Sequence, residues 1–225
     1  MTTPGRLIDV SHVVEDGLIT YPGLPAPVVS DYLSRSASAS HYSEGTTFQI
    51  GRIEMVANTG TYIDAPFHRF DGGIDLAGLP LERIADLDGL VVDVTDSHAR
   101  AIDRSRFEGL HLRDRAVLIR TGWDIHWRTA AYARGAPFVT RDLAEYLVQA
   151  APALVGIDSI NIDDVEDGTR PAHTLLLGAG IPVVEHLCNL GSLPASGYRF
   201  HCVPVKFRGV GTFPVRAYAV IVPEP

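Results

Sequence analysis

The chain has 225 residues, 46% of them hydrophobic, and a formal net charge of −8, which fits one large domain over residues 1–225 with a sizeable buried core. The acidic balance excludes non-specific nucleic-acid binding, which needs clustered Lys and Arg against phosphates, and no apolar run approaches the ~18 residues needed to cross a bilayer. Residues 1–6 lack the apolar stretch of a secretory signal, and Cys188 and Cys202 alone make no disulfide framework, so a reduced, cytoplasmic setting is expected.

Strand-length runs rich in Val and Ile recur at residues 7–10, 48–56, 89–94, 116–120, 154–157, 181–184 and 215–222. Between the fourth and fifth, Thr140 caps a helical pattern that continues to Ala150, with apolar residues at Leu143, Tyr146, Leu147 and Ala150. Between the fifth and sixth, residues 173–177 read as a short helix stopped by Gly178 and Gly180. Strand, helix, strand in alternation predicts βαβ units and an α/β fold. The 21 glycines and 15 prolines predict shaped loops, where functional residues gather.

The densest polar pattern is Asn58-Thr59-Gly60-Thr61-Tyr62-Ile63-Asp64-Ala65-Pro66-Phe67-His68. If residues 58–64 are extended, Asn58, Gly60, Tyr62 and Asp64 share one face and His68 continues the parity. Pro66 lacks an N–H and ends any strand pairing there. The plain alternative is a half-exposed strand whose polar side meets water. A second pair of ligand-type residues, His173 and Glu185, lies twelve apart around the short helix.

The 58–68 segment resembles the signature of the cyclase superfamily of metal-dependent hydrolases, the group that includes bacterial kynurenine formamidase and isatin hydrolase. That pattern reads His-x-Gly-Thr-His-x-Asp-x-Pro-x-His, with Asn58 and Tyr62 standing here where the family has its first two histidines. The His173–Glu185 spacing is similar to that family's downstream ligand pair. Landmarks in shared order, among them residues 7–12, 21–25, 79–82, 118–123, 155–159 and 211–216, extend the likeness over nearly the whole chain. The resemblance implies a swivelling β/α fold with a central mixed β-sheet or barrel, a small-molecule substrate, and a homodimer or homotetramer.

In the family the two motif histidines ligate metal. Asn58 offers a neutral carbonyl, and Tyr62 a phenol with an ordinary pKa near ~10 that ligates only when stripped of its proton. The expectation is therefore one divalent cation, Zn or Mn, on Asp64, His173 and Glu185, the three protein ligands usual for an open catalytic zinc site. His68 is a fourth ligand or an acid–base group, Tyr62 a donor to an oxyanion, and Asn58 a substrate-orienting group. The expected reaction is hydrolysis of a C–N bond in a small cyclic or aryl amide. The alternative is metal-free cyclisation, dehydration or isomerisation with His68, Asp64 and Tyr62, or a non-catalytic binding protein on the same fold.

Trp123, in the aromatic stretch 123–127, is a candidate substrate-pocket residue, as is His12 at the end of the first apolar run. Packing is the competing role for both. His186, next to Glu185, is expected to face away from it on a strand. No Gly-x-Ser-x-Gly elbow, P-loop or dinucleotide fingerprint occurs.

Overall fold

Nine strands hydrogen-bond into one large curled mixed sheet, seen in a computed structural model that describes residues 5–97 and 99–221. They are β1 (Arg6–Asp9), β4 (Tyr62–Asp64), β5 (Leu87–Asp93), β7 (Ala116–Arg120), β9 (Leu154–Ile157), β10 (Val183–Glu185), β11 (Ser196–His201), β12 (Thr212–Pro214) and β13 (Tyr218–Ile221). Their order across the sheet is β1-β13-β11-β5-β7-β9-β10-β4-β12. The neighbours β5, β7, β9 and β10 run parallel, and the flanking pairs are antiparallel.

The parallel centre follows from composition. On β7, Ala116, Val117, Leu118 and Ile119 are all buried, because a sheet covered on both faces needs continuous apolar runs. Leu118 joins a core with Ile63, Leu154, Val184 and Phe200 on one face. Val117 and Ile119 join Leu143, Leu147, Val155 and Leu176 on the other. Each fully buried Val, Leu or Ile is worth about 1.5–3 kcal/mol over its exposed state.

The crossovers are the predicted helices. Helix α2 (Arg141–Ala150) leads from β7 to β9; the Thr140 hydroxyl accepts from the Leu143 N–H at 3.2 Å, and Leu143, Ala144 and Leu147 form its buried side. Helix α3 (Pro171–Gly178) leads from β9 to β10 and starts two residues earlier than the apolar run suggests. Pro171 supplies a φ ready for the first turn, and Asp163 accepts from the backbone N–H groups of Ala172 (2.6 Å) and His173 (3.0 Å).

Two differences from the sequence reading have plain causes. The run 48–56 yields β3 (Ile50–Glu54), which pairs with β2 (Val28–Leu33) as an arm apart from the large sheet. The arm leaves Val28, Val29, Tyr32, Ile50 and Ile53 exposed. β11 is not evident in the sequence because its alternation is half polar: Tyr198 and Phe200 point inward, Arg199 and His201 outward. The remaining pieces are a short helix α1 (Arg35–Ser38) and the paired two-residue strands β6 (Ala101–Ile102) and β8 (Phe138–Val139).

Candidate active and metal site

The parallel strands end at the site. Glu185 is the last residue of β10 and pairs in register with Tyr62, the first of antiparallel β4; Asp64, two residues on, pairs with Val183 on one side and Thr212 of β12 on the other. Only Tyr62–Asp64 is strand. Asn58–Gly60 is a bend, and Gly60 has φ +66° with Val14 where a Cβ would sit, so glycine is required there. Pro66 ends the strand and opens a single 3-10 turn, Pro66–His68, which swings His68 back toward Asp64. Gly211 permits this, because a Cβ on it would collide with the His68 backbone.

These elements bring Asp64, His68, His173 and Glu185 together. His173 Nε2 lies 3.5 Å from Asp64 Oδ2 and 3.6 Å from Glu185 Oε1, and His68 Nδ1 lies 3.7 Å from Asp64 Oδ1. One ligand atom each from Asp64, His68 and His173 falls within 4.8 Å of the others. Asp64 is fully buried, yet its Oδ2 has no hydrogen-bond partner among the described residues. An unpaired anionic oxygen costs several kcal/mol unless a cation meets it. With an imidazole nitrogen beside it, this oxygen fits a divalent cation.

The surrounding hydrogen bonds orient these groups. His173 Nδ1 is 2.7 Å from Asp163 Oδ2, which fixes the proton on Nδ1 and turns Nε2 to the site. The Thr212 hydroxyl donates to Asp64 and lies 2.7 Å from His68 Nδ1. Glu185 accepts from the Ile162 N–H at 2.6 Å and from the Tyr62 hydroxyl at 2.6 Å. With its proton committed to Glu185, the Tyr62 oxygen accepts from His186 Nε2 at 3.3 Å, and Tyr132 donates to His186 Nδ1 at 2.9 Å.

Electrostatics follow from burial and crowding. Burial opposes charge on His173, but the Glu185, Asp163 and Asp64 carboxylates outweigh it and raise its pKa to about 10. Burial lifts Glu185 to about 7 against the pull of His173. Burial also disfavours charge on Asp64, yet the close His173 imidazole, the charge of His68 and the Thr212 hydroxyl bring it below the usual value. Burial, then the Glu185 and Asp64 charges, keep Tyr62 a neutral phenol.

A cavity of about 480 Å³ opens over this cluster, lined by Tyr62, His68, His173 and Glu185, with Asn58 and Asn161 beside them and the loop Tyr21–Leu24 at its rim. A larger one, about 650 Å³, lies between residues 15–22 and 128–134; the metal-type cluster identified among the described residues is not part of it.

Trp123 and His12 do not line the site cavity. Trp123 packs with Tyr132 and Trp127, and its indole N–H donates to the Tyr132 carbonyl at 2.9 Å. His12 stacks on Trp127, with centroids 3.9 Å apart and planes within 5°. The chain after β1 bends toward the aromatic cluster, which a linear pattern does not reveal. His186 also departs from expectation. Its φ of +56° breaks strand alternation, and its ring reaches the Tyr62 hydroxyl. The sequence reading missed Asp163, Asn161 and Thr212. The polar run 161–164 directly after a buried strand is the signal for the first two; Thr212 is recruited by cross-strand register alone.

His12 gives a pH prediction. Burial lowers its pKa to about 4, below the unfolded value near 6.5. Its contribution to stability is thus present above pH ~6.5 and lost as pH falls toward ~4, because the unfolded chain binds the proton better. Denaturant titrations of His12→Phe, which keeps the stack on Trp127, should match wild type at pH 7 and gain about 1–2 kcal/mol on it at pH 4, discounted for partial exposure. An equal response of both proteins to acid would refute the assignment.

The family described as "Putative cyclase" matches residues 8–164, more than half of the chain. A kynurenine formamidase of Bacillus cereus is 27% identical over 218 residues, covering 93% of this chain and 95% of that protein. One of Salinibacter ruber is 27% identical over 229 aligned positions, covering 97% and 99%. Among solved structures, isatin hydrolase A from Labrenzia aggregata, bound to benzyl benzoate, superposes with a TM-score of 0.82 over 97% of this chain and 94% of that one, at 23% identity. That likeness concerns the fold. Family match and geometry agree, and the chain belongs to the cyclase family.

Proposed function

We propose that this protein, a hydrolase, cleaves the C–N bond of a small cyclic or aryl amide with one divalent cation, Zn or Mn, held by Asp64, His173 and Glu185. The observation that carries the reading is the buried, unpartnered Oδ2 of Asp64 beside His173 Nε2 under an open cavity. Relatives named kynurenine formamidase supply the amide class.

A bound divalent cation supplies a Lewis acid that polarises a carbonyl and makes a water more acidic. Asp163 keeps the proton of His173 on Nδ1, so Nε2 keeps its lone pair for the cation. Thr212 gives its only hydroxyl proton to Asp64 and so accepts from His68 Nδ1–H, which leaves His68 Nε2 as the basic nitrogen. His68, 36% exposed, takes a proton from the attacking water and returns it to the leaving nitrogen. Tyr62 donates its proton to Glu185 and so steadies that carboxylate rather than an oxyanion. Asn58 orients the substrate from the cavity wall.

Assembly into a homodimer or homotetramer belongs to the same reading, supported by the exposed apolar arm β2–β3. Native mass spectrometry of protein purified without chelator tests cation and assembly together. One cation per 24.4 kDa chain in a multimer is expected, with formanilide hydrolysis abolished by EDTA and restored by Zn2+ or Mn2+. An empty protein with chelator-resistant turnover would transfer the reaction to metal-free catalysis by His68, Asp64 and Tyr62; an empty, inactive one that still binds ligand would leave a binding protein.

A further inference from the structure

Two arginines, Arg69 and Arg170, line the same cavity as His68, His173 and Glu185. Both are tied to the helix that carries His173. Arg69 follows the 3-10 turn of His68, and its Nε donates to the Thr174 hydroxyl at 3.2 Å. Arg170 immediately precedes helix α3, three residues before His173, with φ +47°. Both guanidinium stems therefore start within about one helical turn of the metal-type cluster.

Neither arginine closes an ion pair among the described residues, whereas Arg104, Arg106, Arg199 and Arg216, all on the surface, do. Asp167 is held below its usual pKa by the Thr169 hydroxyl first of all; Arg170 adds a smaller, longer-range pull that is not a salt bridge. Arg170 Nη1 donates to Asn161 Oδ1 and to the Asp164 carbonyl, and Nη2 to the Val165 carbonyl. Its Nε–H and one Nη2–H remain, the edge that meets a carboxylate side-on. Arg69 keeps all four Nη–H groups without a partner among the described residues.

On a chain of net charge −8, a cationic rim on one cavity attracts anions against the field of the whole surface. Below the arginines, the imidazoles and carboxylates of the metal-type cluster are engaged with one another, so the arginine rim supplies the cationic groups not already committed to a carboxylate. A substrate with both groups is thereby oriented, carbonyl down and anion up.

We propose that Arg69 and Arg170 recognise a carboxylate on the substrate, so that the preferred amides are carboxylate-bearing aryl or cyclic amides rather than neutral ones. The inference rests on the amide-hydrolase reading. It makes Arg69 and Arg170 specificity determinants, with Arg69 the adaptable contact and Arg170 the one preset by its loop.

The test compares formanilide with 3-formamidobenzoate on the metal-loaded protein. Wild type should favour the carboxylated amide in kcat/KM by about 10- to 100-fold, the range of a charge-assisted pair. Arg69→Gln should collapse that ratio chiefly through KM for the carboxylated amide, and Arg69→Lys, which keeps charge but not the fork, should restore part of it. Equal use of both amides by wild type, or an unchanged ratio in Arg69→Gln, overturns the proposal. If neither amide is hydrolysed, the amide-hydrolase reading fails separately. Calorimetric binding of benzoate and benzamide then decides this inference: benzoate must bind more tightly to wild type than to Arg69→Gln, and equal affinity sinks it.

Discussion

Asp64→Asn is expected to give a folded protein that retains no stoichiometric cation and hydrolyses amides about a thousandfold more slowly, since Lewis-acid stabilisation is worth several kcal/mol. The substitution is nearly isosteric. The amide carbonyl it introduces can still accept from Thr212, and β4 keeps its pairing with β10 and β12. What disappears is the anionic Oδ2 beside His173 Nε2. The same change removes one of the carboxylates that raise the His173 pKa to about 10. A proton and a cation compete for Nε2, so metal affinity in wild type should also weaken as pH falls. Elemental analysis alongside circular dichroism reads this directly. A folded variant that keeps a full equivalent of metal places the cation elsewhere.

The double variant Asn58→His/Tyr62→His is expected to take up two cations per chain, against the one proposed for the native protein. On the family resemblance, these positions are where histidines ligate. The native Tyr62 hydroxyl instead sits 2.6 Å from Glu185 Oε2 and occupies that oxygen with a proton that burial keeps in place. Imidazoles supply nitrogen donors and release Oε2. Losing the larger buried ring and the link to His186 costs about 1–3 kcal/mol, a loss that metal binding can offset. Tyr62→Phe is the control, because it removes the proton without adding a ligand and should stay at one equivalent. A well-folded double variant still holding one cation would show that Tyr62 is not what limits the count.

Much of the fold was legible because periodicity reports burial locally. The continuous apolar runs at 116–120 and 154–157 mark parallel central strands, and the Thr140 cap marks a helix boundary. The arm was not legible. β3 has the composition of a sheet strand, and only the partner it finds, β2, separates it from the core. β12 is three residues long and owes its existence to β4 and to the close approach at Gly211.

The site divides along the same line. Residue order and spacing pointed to the family by resemblance and to the α/β class by alternation of strand and helix patterns, and they nominated Asp64, His68, His173 and Glu185, which the fold brings close together. Only the tertiary structure decided that the Tyr62 proton belongs to Glu185, that Asp163 and Thr212 orient the imidazoles, that Trp123 and His12 stand outside the cavity, and that two arginines stand over it. Those outcomes depend on strand register and on single left-handed residues such as His186 and Arg170. Register is set by packing across the whole sheet, so a linear pattern carries side-chain alternation along one strand but not what lies opposite on the next.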